Sequence, residues 1–299
     1  NNSCSNGGSG QLDGAGIKVQ YGAVLLDRTK VMENYTENTG SGGEFHRGSG
    51  IYANESNIYV INSLIAGNYI EEQIGGSANY GSGIYAWSSN VAIMNSTITD
   101  NQGIVNPGSG SGTALEIGFT DGKQIVIFNS IIAGNSPSNY QSYMAQTGPY
   151  IIGNTVFEGA STEWFFDDSE GCYDFDPLFE DSLGTLSAFS PAIGKGGTSI
   201  EDADGNDIPS PAVDLYGNPR PNPAGSNPDI GAYEHVRSDP RRLVYYVNAN
   251  DAIGNDTNDG LTSETALKTI GEGLNKSSNR DTLELVAGTY DGADNRNLN

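Results

Sequence analysis

The residues best suited to hold an ion stand at 202–207, in the run DADGND. Asp202, Asp204 and Asn206 place oxygens at alternating positions, and Gly205 supplies a turn. That spacing matches the first half of a calcium loop, in which hard oxygen ligands close around the cation. The distant bidentate Glu of such loops is missing, so the run reads as a weak calcium site or as a turn held by hydrogen bonds alone. Asp251, Asp256 and Asp259, around GNDTNDG, form a second and sparser acidic group. Proton transfer has less to draw on, because the two histidines, His46 and His235, stand apart in the sequence. No acid/base pair or basic groove stands out, and the chain leans away from enzymatic activity.

Asparagine is the polar residue with a period. Asn62, Asn95 and Asn129 lie 33 and 34 residues apart, and Asn68, Asn101 and Asn135 keep the same spacing. Asn tolerates the left-handed backbone region at a repeated corner. Its amide can also hydrogen-bond to the Asn of the next repeat, so both columns are expected to form structural ladders.

The elements that carry these columns repeat as well. GSGIYANESNIYVINSLIAGN starts at Gly48 and GSGIYAWSSNVAIMNSTITDN at Gly81, while GSGTALEIG at Gly110 opens a third copy closed by GKQIVIFNSIIAGN. Ile58, Val91 and Ile125 share a column, as do Val60, Ile93 and Ile127, and Ile65, Ile98 and Ile132. An earlier copy aligns Val24, Leu26, Val31 and Asn34, with Arg28 and Thr29 in place of the Asn-Ser pair. The basic residues Lys18, Arg28, Lys30, Arg47 and Lys123 share no column.

Short β-rich runs alternate with Gly, Asn and Ser turns, and no copy contains a convincing helix. Such a unit cannot bury its apolar edge alone. Laid on an identical unit about 4.8 Å away, it pairs its backbone and stacks like on like. The fold class is therefore all-β, a parallel β-helix or β-solenoid. The variable stretches ENYTENTGSGGEFHR, YIEEQIGGSANY and QGIVNPGSGSG are expected to be loops on one flank. Tyr35, Phe45, Tyr69, Tyr80, Tyr140 and Tyr143 give that flank an aromatic character, suited to packing on the scaffold or to gripping a glycan.

The repeats resemble those of the right-handed parallel β-helix proteins of the pectate-lyase-like superfamily. GSGIY followed by SLIAGN resembles the repeats of polymorphic outer-membrane and adhesin-like β-helices. DFDPLFEDS (174–182), LSAFSPAIGKG (186–196) and DLYGNPRPNPAGSNPDIGAYE (214–234) resemble the choice-of-anchor Q segment of extracellular β-helix proteins. The resemblance implies coils over 1–160, a closing lid over 161–235, and a protein located outside the cell or at its surface. Lyases of this superfamily hold calcium with carboxylates on adjacent coils, and no such carboxylates occupy the Asn columns. A linker follows at 236–242. Residues 243–299 then read as strand, Asx-rich turn, amphipathic helix and strand, and resemble the N-terminal cap of a next β-helix. Ala266, Leu267, Ile270 and Leu274 are expected on one helix face, with Thr262 or Ser263 as its cap.

Composition sets outer limits. The 299 residues suffice for one large domain or two, and 41 Gly with 17% charged residues suit a turn-rich β protein. A net charge of −23 disfavours nucleic acid and other polyanions as partners. Cys4 and Cys172 are too few for a disulfide framework and are expected as buried thiols. No apolar run is long enough for membrane insertion. The chain, starting at Asn1, is expected to be an excised or processed piece. These readings favour a structural or adhesive protein that assembles end to end with copies of itself or with adjacent β-helix domains, calcium being the one candidate cofactor. The rival is a secreted polysaccharide lyase or glycoside hydrolase.

Overall fold

The computed structural model describes residues 2–6, 12–38, 45–72, 78–103, 114–118, 122–136, 150–160, 171–277 and 281–296. The chain separates into two compact units, Asn1–Pro240 and Arg241–Asn299, which places the boundary inside the expected linker.

The first unit is a parallel β-solenoid in which, among the described residues, the stacked strands form five parallel sheets, the deepest with six strands. In coil order the first sheet holds Ser3–Asn6, Tyr35–Asn38, Tyr69–Glu72 and Gln102–Gly103, and the second Leu12–Asp13, Phe45–Arg47 and Ala78–Tyr80. The third holds Ile17–Gln20, Ile51–Asn54, Ile84–Trp87 and Leu115–Gly118. The fourth holds Ala23–Asp27, Asn57–Ile61, Asn90–Met94, Ile125–Phe128 and Tyr150–Gly153. The fifth holds Lys30–Met32, Leu64–Ala66, Thr97–Thr99, Ile131–Ile132, Thr155–Phe157 and Cys172–Tyr173. Pairing follows the sequence repeat residue for residue: Val91 lies between Ile58 and Ile125, and Ile98 between Ile65 and Ile132.

The repeated aliphatic columns point inward from the third, fourth and fifth sheets and form one core with Ile51, Ala53, Ile84, Ala86, Leu115 and Ile117. Each fully buried Ile or Val contributes about 1.5–3 kcal/mol. The GSG motif bends the chain into this core. Gly48 has φ +59°, and a Cβ there would lie 2.2 Å from the Ile51 carbonyl oxygen, so no side chain fits. Gly50 approaches the Asn column, where a Cβ would meet Asn68 Nδ2 at 2.9 Å.

Two expectations change here. The stretches read as loops before Gly48 and Gly81 contain the strands of the first and second sheets, in register across coils. Thr36, Ile70 and His46 are buried on these strands, so part of each stretch has a side turned into the protein, which the differences between copies concealed. The segment read as an end lid instead runs along the side of the stack. After the last strand of the fifth sheet, from Asp174 to His235, it packs on the outer face of that sheet, with Ile193 and Ile230 against Ile131 and Val156, and Leu215 and Tyr233 against Leu64 and Ala66. Those outward positions are apolar and need cover, which draws the segment sideways. Cys172 is buried, and the side chain of Cys4 lies outside the described residues.

In the second unit Val244–Val247 pairs in parallel with Thr282–Leu285, and a short helix spans Ile270–Lys276. The helix starts later than expected because Leu267 is used in strand pairing: its N–H donates to Tyr246 O and its carbonyl accepts from Asn248 N, both at 2.8 Å. Thr269 is the cap, accepting from Glu272 N at 3.2 Å, in the T-x-x-E spacing of a capping box. Leu274 is exposed rather than packed. No helix among the described residues is long and apolar enough to cross a membrane.

Candidate functional site

The two Asn columns do different work. Asn34, Asn68, Asn101 and Asn135 form the ladder: each Nδ2 donates to the Oδ1 of the next, at 2.8, 2.9 and 3.0 Å. Each Oδ1 also accepts a backbone N–H from the preceding coil, as Asn68 N to Asn101 Oδ1 at 3.1 Å. Asn62, Asn95 and Asn129 take the left-handed corner conformation, with φ of 48°, 46° and 49°, but their amides do not bond from coil to coil among the described residues. Asn95 and Asn129 instead bond to the flanking segment. Asn129 exchanges two bonds with Gly197, Ser210 Oγ donates to Asn95 Oδ1, and Asn154, a further member of the column, donates to Lys195 O.

Asp202, Asp204 and Asn206 lie together in the turn of a hairpin between Ser199–Glu201 and Asp207–Pro209. Asp202 Oδ1 accepts the N–H groups of Asp204 and Asn206 at 2.9 and 2.8 Å, and the Asn206 side-chain nitrogen donates to Oδ2 at 3.0 Å. These bonds, Asn206 foremost, hold the Asp202 carboxyl below the usual carboxylate range. Its oxygens thus face donors. In the second acidic group, Asp256 holds the start of the helix by accepting from Lys268 N and Thr269 N, Asp259 accepts from Thr265, and Asp251 pairs with Lys268.

The richest outward-facing cluster lies where the second and third sheets meet. Asp13, Arg47 and Tyr80 form one column, and Lys18, Tyr52, Tyr85 and Glu116 the next. Across the junction Lys18 Nζ pairs with Asp13 Oδ2 at 3.3 Å, and the Arg47 guanidinium sits 5.4 Å from the Tyr85 ring centroid. Lys18 lies 5.2 Å from the Tyr52 ring, and Tyr52 stacks on Tyr85 at 5.7 Å. Burial raises the Tyr85 hydroxyl above the usual tyrosine range; nearby Arg47 opposes the rise and Glu116 adds to it. Trp87, 38% exposed and stacked on Tyr85, forms the open rim, lying so flat on Gly118 that a Cβ there would meet the indole at 2.6 Å. Cations engaged with a carboxylate and with ring faces suit stacking and hydrogen bonding rather than proton transfer.

The first sheet carries a second outward cluster. Tyr35 stacks on Tyr69 at 5.4 Å, and Glu37 lies directly beside Glu71 on the next coil. Tyr35 Oη donates to Glu71; desolvation and that carboxylate hold the hydroxyl above its usual range. The period would have found this pair, since Tyr35 and Glu37 precede Tyr69 and Glu71 by 34 residues. Of the residues read as an aromatic flank, Tyr140 and Tyr143 and the side chain of Phe45 lie outside the described residues.

His235 closes the flanking segment, its backbone N–H donating to Asp229 Oδ2 at 2.6 Å. The G-N-x-R-P and D-I-G-A-Y-E motifs meet around Arg220, whose Nη1 donates to Asp229 O at 2.9 Å and whose Nη2 donates to Gly231 O at 3.0 Å. Arg220 also pairs with Glu234 at 3.2 Å, with both side chains fully buried. Asp229 accepts N–H groups from Gly194 and His235, joining two passes of the segment. Burial and the neighbouring Glu234 push Asp229 up to about 7.

No protein family matches the chain, and comparison with curated proteins and with solved structures gives no match.

Proposed function

We propose that the chain is an extracellular structural or adhesive β-solenoid that assembles end to end into a filament or long surface fibre. One observation carries this reading: like coils pair strand on strand in register along one axis, as Val91 does between Ile58 and Ile125. A further coil, from an adjacent domain or another copy, continues such a stack by the same strand pairing. A head-to-tail contact that does not close into a ring yields a fibre. The side-chain ladders and the flanking segment give each coil the rigidity a fibre needs. Light scattering and electron microscopy across a concentration series test it: rods that lengthen with concentration support it, and a monodisperse monomer at every concentration overturns it.

A second reading, a carbohydrate-active enzyme, draws on one feature, the Glu37 and Glu71 carboxylates stacked on adjacent coils beside two tyrosines. Release of reducing ends or unsaturated uronates from a polysaccharide, abolished in Glu71→Gln, would favour it over adhesion. Glycan binding without product release favours adhesion.

A further inference from the structure

The inner columns of the solenoid are nearly uniform, so they do not by themselves say which coil is which. Ile58, Val91 and Ile125 are interchangeable in kind, and an Asn stands at the ladder position of coil after coil. A stack of this sort can slip by a whole repeat at little cost in inward contacts. The outward column of the fifth sheet is different. It reads Lys30, Leu64, Thr97, Ile131, Val156 and Tyr173, with no residue type repeated.

Each of these positions meets the flanking segment that follows the last coil, the strap at 174–235. Lys30 Nζ donates to Tyr216 Oη at 2.9 Å. Leu64 packs with Leu215, Ala232 and Tyr233. Thr97 Oγ1 accepts the Ala232 N–H at 3.0 Å, so the hydroxyl position faces a backbone donor. Ile131 and Val156 pack with Leu186, Ile193 and Ile230, and Lys195 Nζ lies 5.7 Å from the Tyr173 ring centroid. The fit is close: a Cβ on Gly231 would stand 2.9 Å from Ile131 Cδ1 and 3.0 Å from Thr97 Oγ1. Along the adjacent corner the same order recurs, Lys195 at Asn154, Gly197 at Asn129 and Ser210 at Asn95.

We propose that the strap is a coil counter: it docks only on the full set of coils from Lys30 to Tyr173 stacked in register, and so locks a repeat that could otherwise slip. Shifting the strap by one coil would set the Ala232 N–H against Leu64 or Ile131, neither of which can accept it, and would part Tyr216 from Lys30. The strap is thus an address-reading clamp rather than a general apolar cover.

Deleting residues 63–95 removes one circuit and joins Asn62 to Ser96, leaving an Asn at each ladder position. Hydrogen exchange on this chain and on Thr97→Leu in the full chain tests the proposal. In the deletion chain, the amides of Gly197, Ile230, Gly231 and Ala232 should exchange at least tenfold faster while those of the coils stay protected. Thr97→Leu leaves every coil in place and should release Ile230, Gly231 and Ala232 together, which decides the matter even where the deletion chain does not fold. Strap amides as protected as in the parent, in the folded deletion chain or in Thr97→Leu, would overturn it, since a sliding cover would behave that way.

Discussion

Asn129 and Gly197 treat each other as two strands of a sheet would. Asn129 Nδ2 donates to the Gly197 carbonyl and the Gly197 N–H donates back to Asn129 Oδ1, both at 2.8 Å. A side-chain amide thereby completes backbone pairing between a solenoid corner and a segment 68 residues away. Asn129→Asp replaces the donor with a second acceptor facing the Gly197 carbonyl. The variant should lose about 2–3 kcal/mol, the cost of opposing unpaired buried groups, measured by chemical denaturation.

Asn101 in the ladder should be far more sensitive than Asn62, a corner residue without a bond to the strap among the described residues. Asn101 makes bonds to Asn135, Ile65 O and Thr99 O, and receives both the backbone and the side-chain nitrogen of Asn68. Asn101→Ala orphans several buried groups and should cost at least about 3 kcal/mol. Asn62 holds φ 48°, and its Oδ1 is buried without a partner among the described residues. Asn62→Gly keeps the backbone conformation available and should change stability by less than about 1 kcal/mol. Comparable losses in the two variants, read from denaturation midpoints, would contradict the division of labour.

Asp229 sets a pH dependence with a definite sign. Its folded value, raised to about 7, lies above that of an unfolded aspartate, so the folded state holds the proton more tightly. The stability it contributes is fully present below about pH 4 and is lost as pH rises to about 7. Melting temperature should therefore fall over that interval. In Asp229→Asn the slope should flatten, although the variant as a whole is less stable because one oxygen that accepts an N–H is gone. An unchanged slope would assign the pH dependence to the general excess of negative charge instead.

At the 202–207 turn, added chelator should leave the melting temperature unchanged, because the Asp202 oxygens already accept N–H groups. Asp202→Ala should lower it by orphaning those donors. A fall on chelation, reversed by calcium, would show that the turn rearranges to bind the ion.

Much of the solenoid was legible in the sequence because parallel stacking pairs each residue with its own equivalent one repeat later. A period of 33 or 34 residues in Ile58, Val91 and Ile125 is therefore the pairing register itself. The roles of the two Asn columns could not be separated that way, since both keep the same period. Whether an amide meets the next Asn or the strap depends on which way the corner turns it. The strap's course was hidden for the opposite reason. Its partners, from Lys30 to Tyr173, share no residue type and no pattern, and only the folded coils bring them into one line. The junction of Asp13, Lys18, Arg47 and Tyr85 likewise exists only because Gly48 and its equivalents bend two sheets together, setting side chains from successive coils ring to cation.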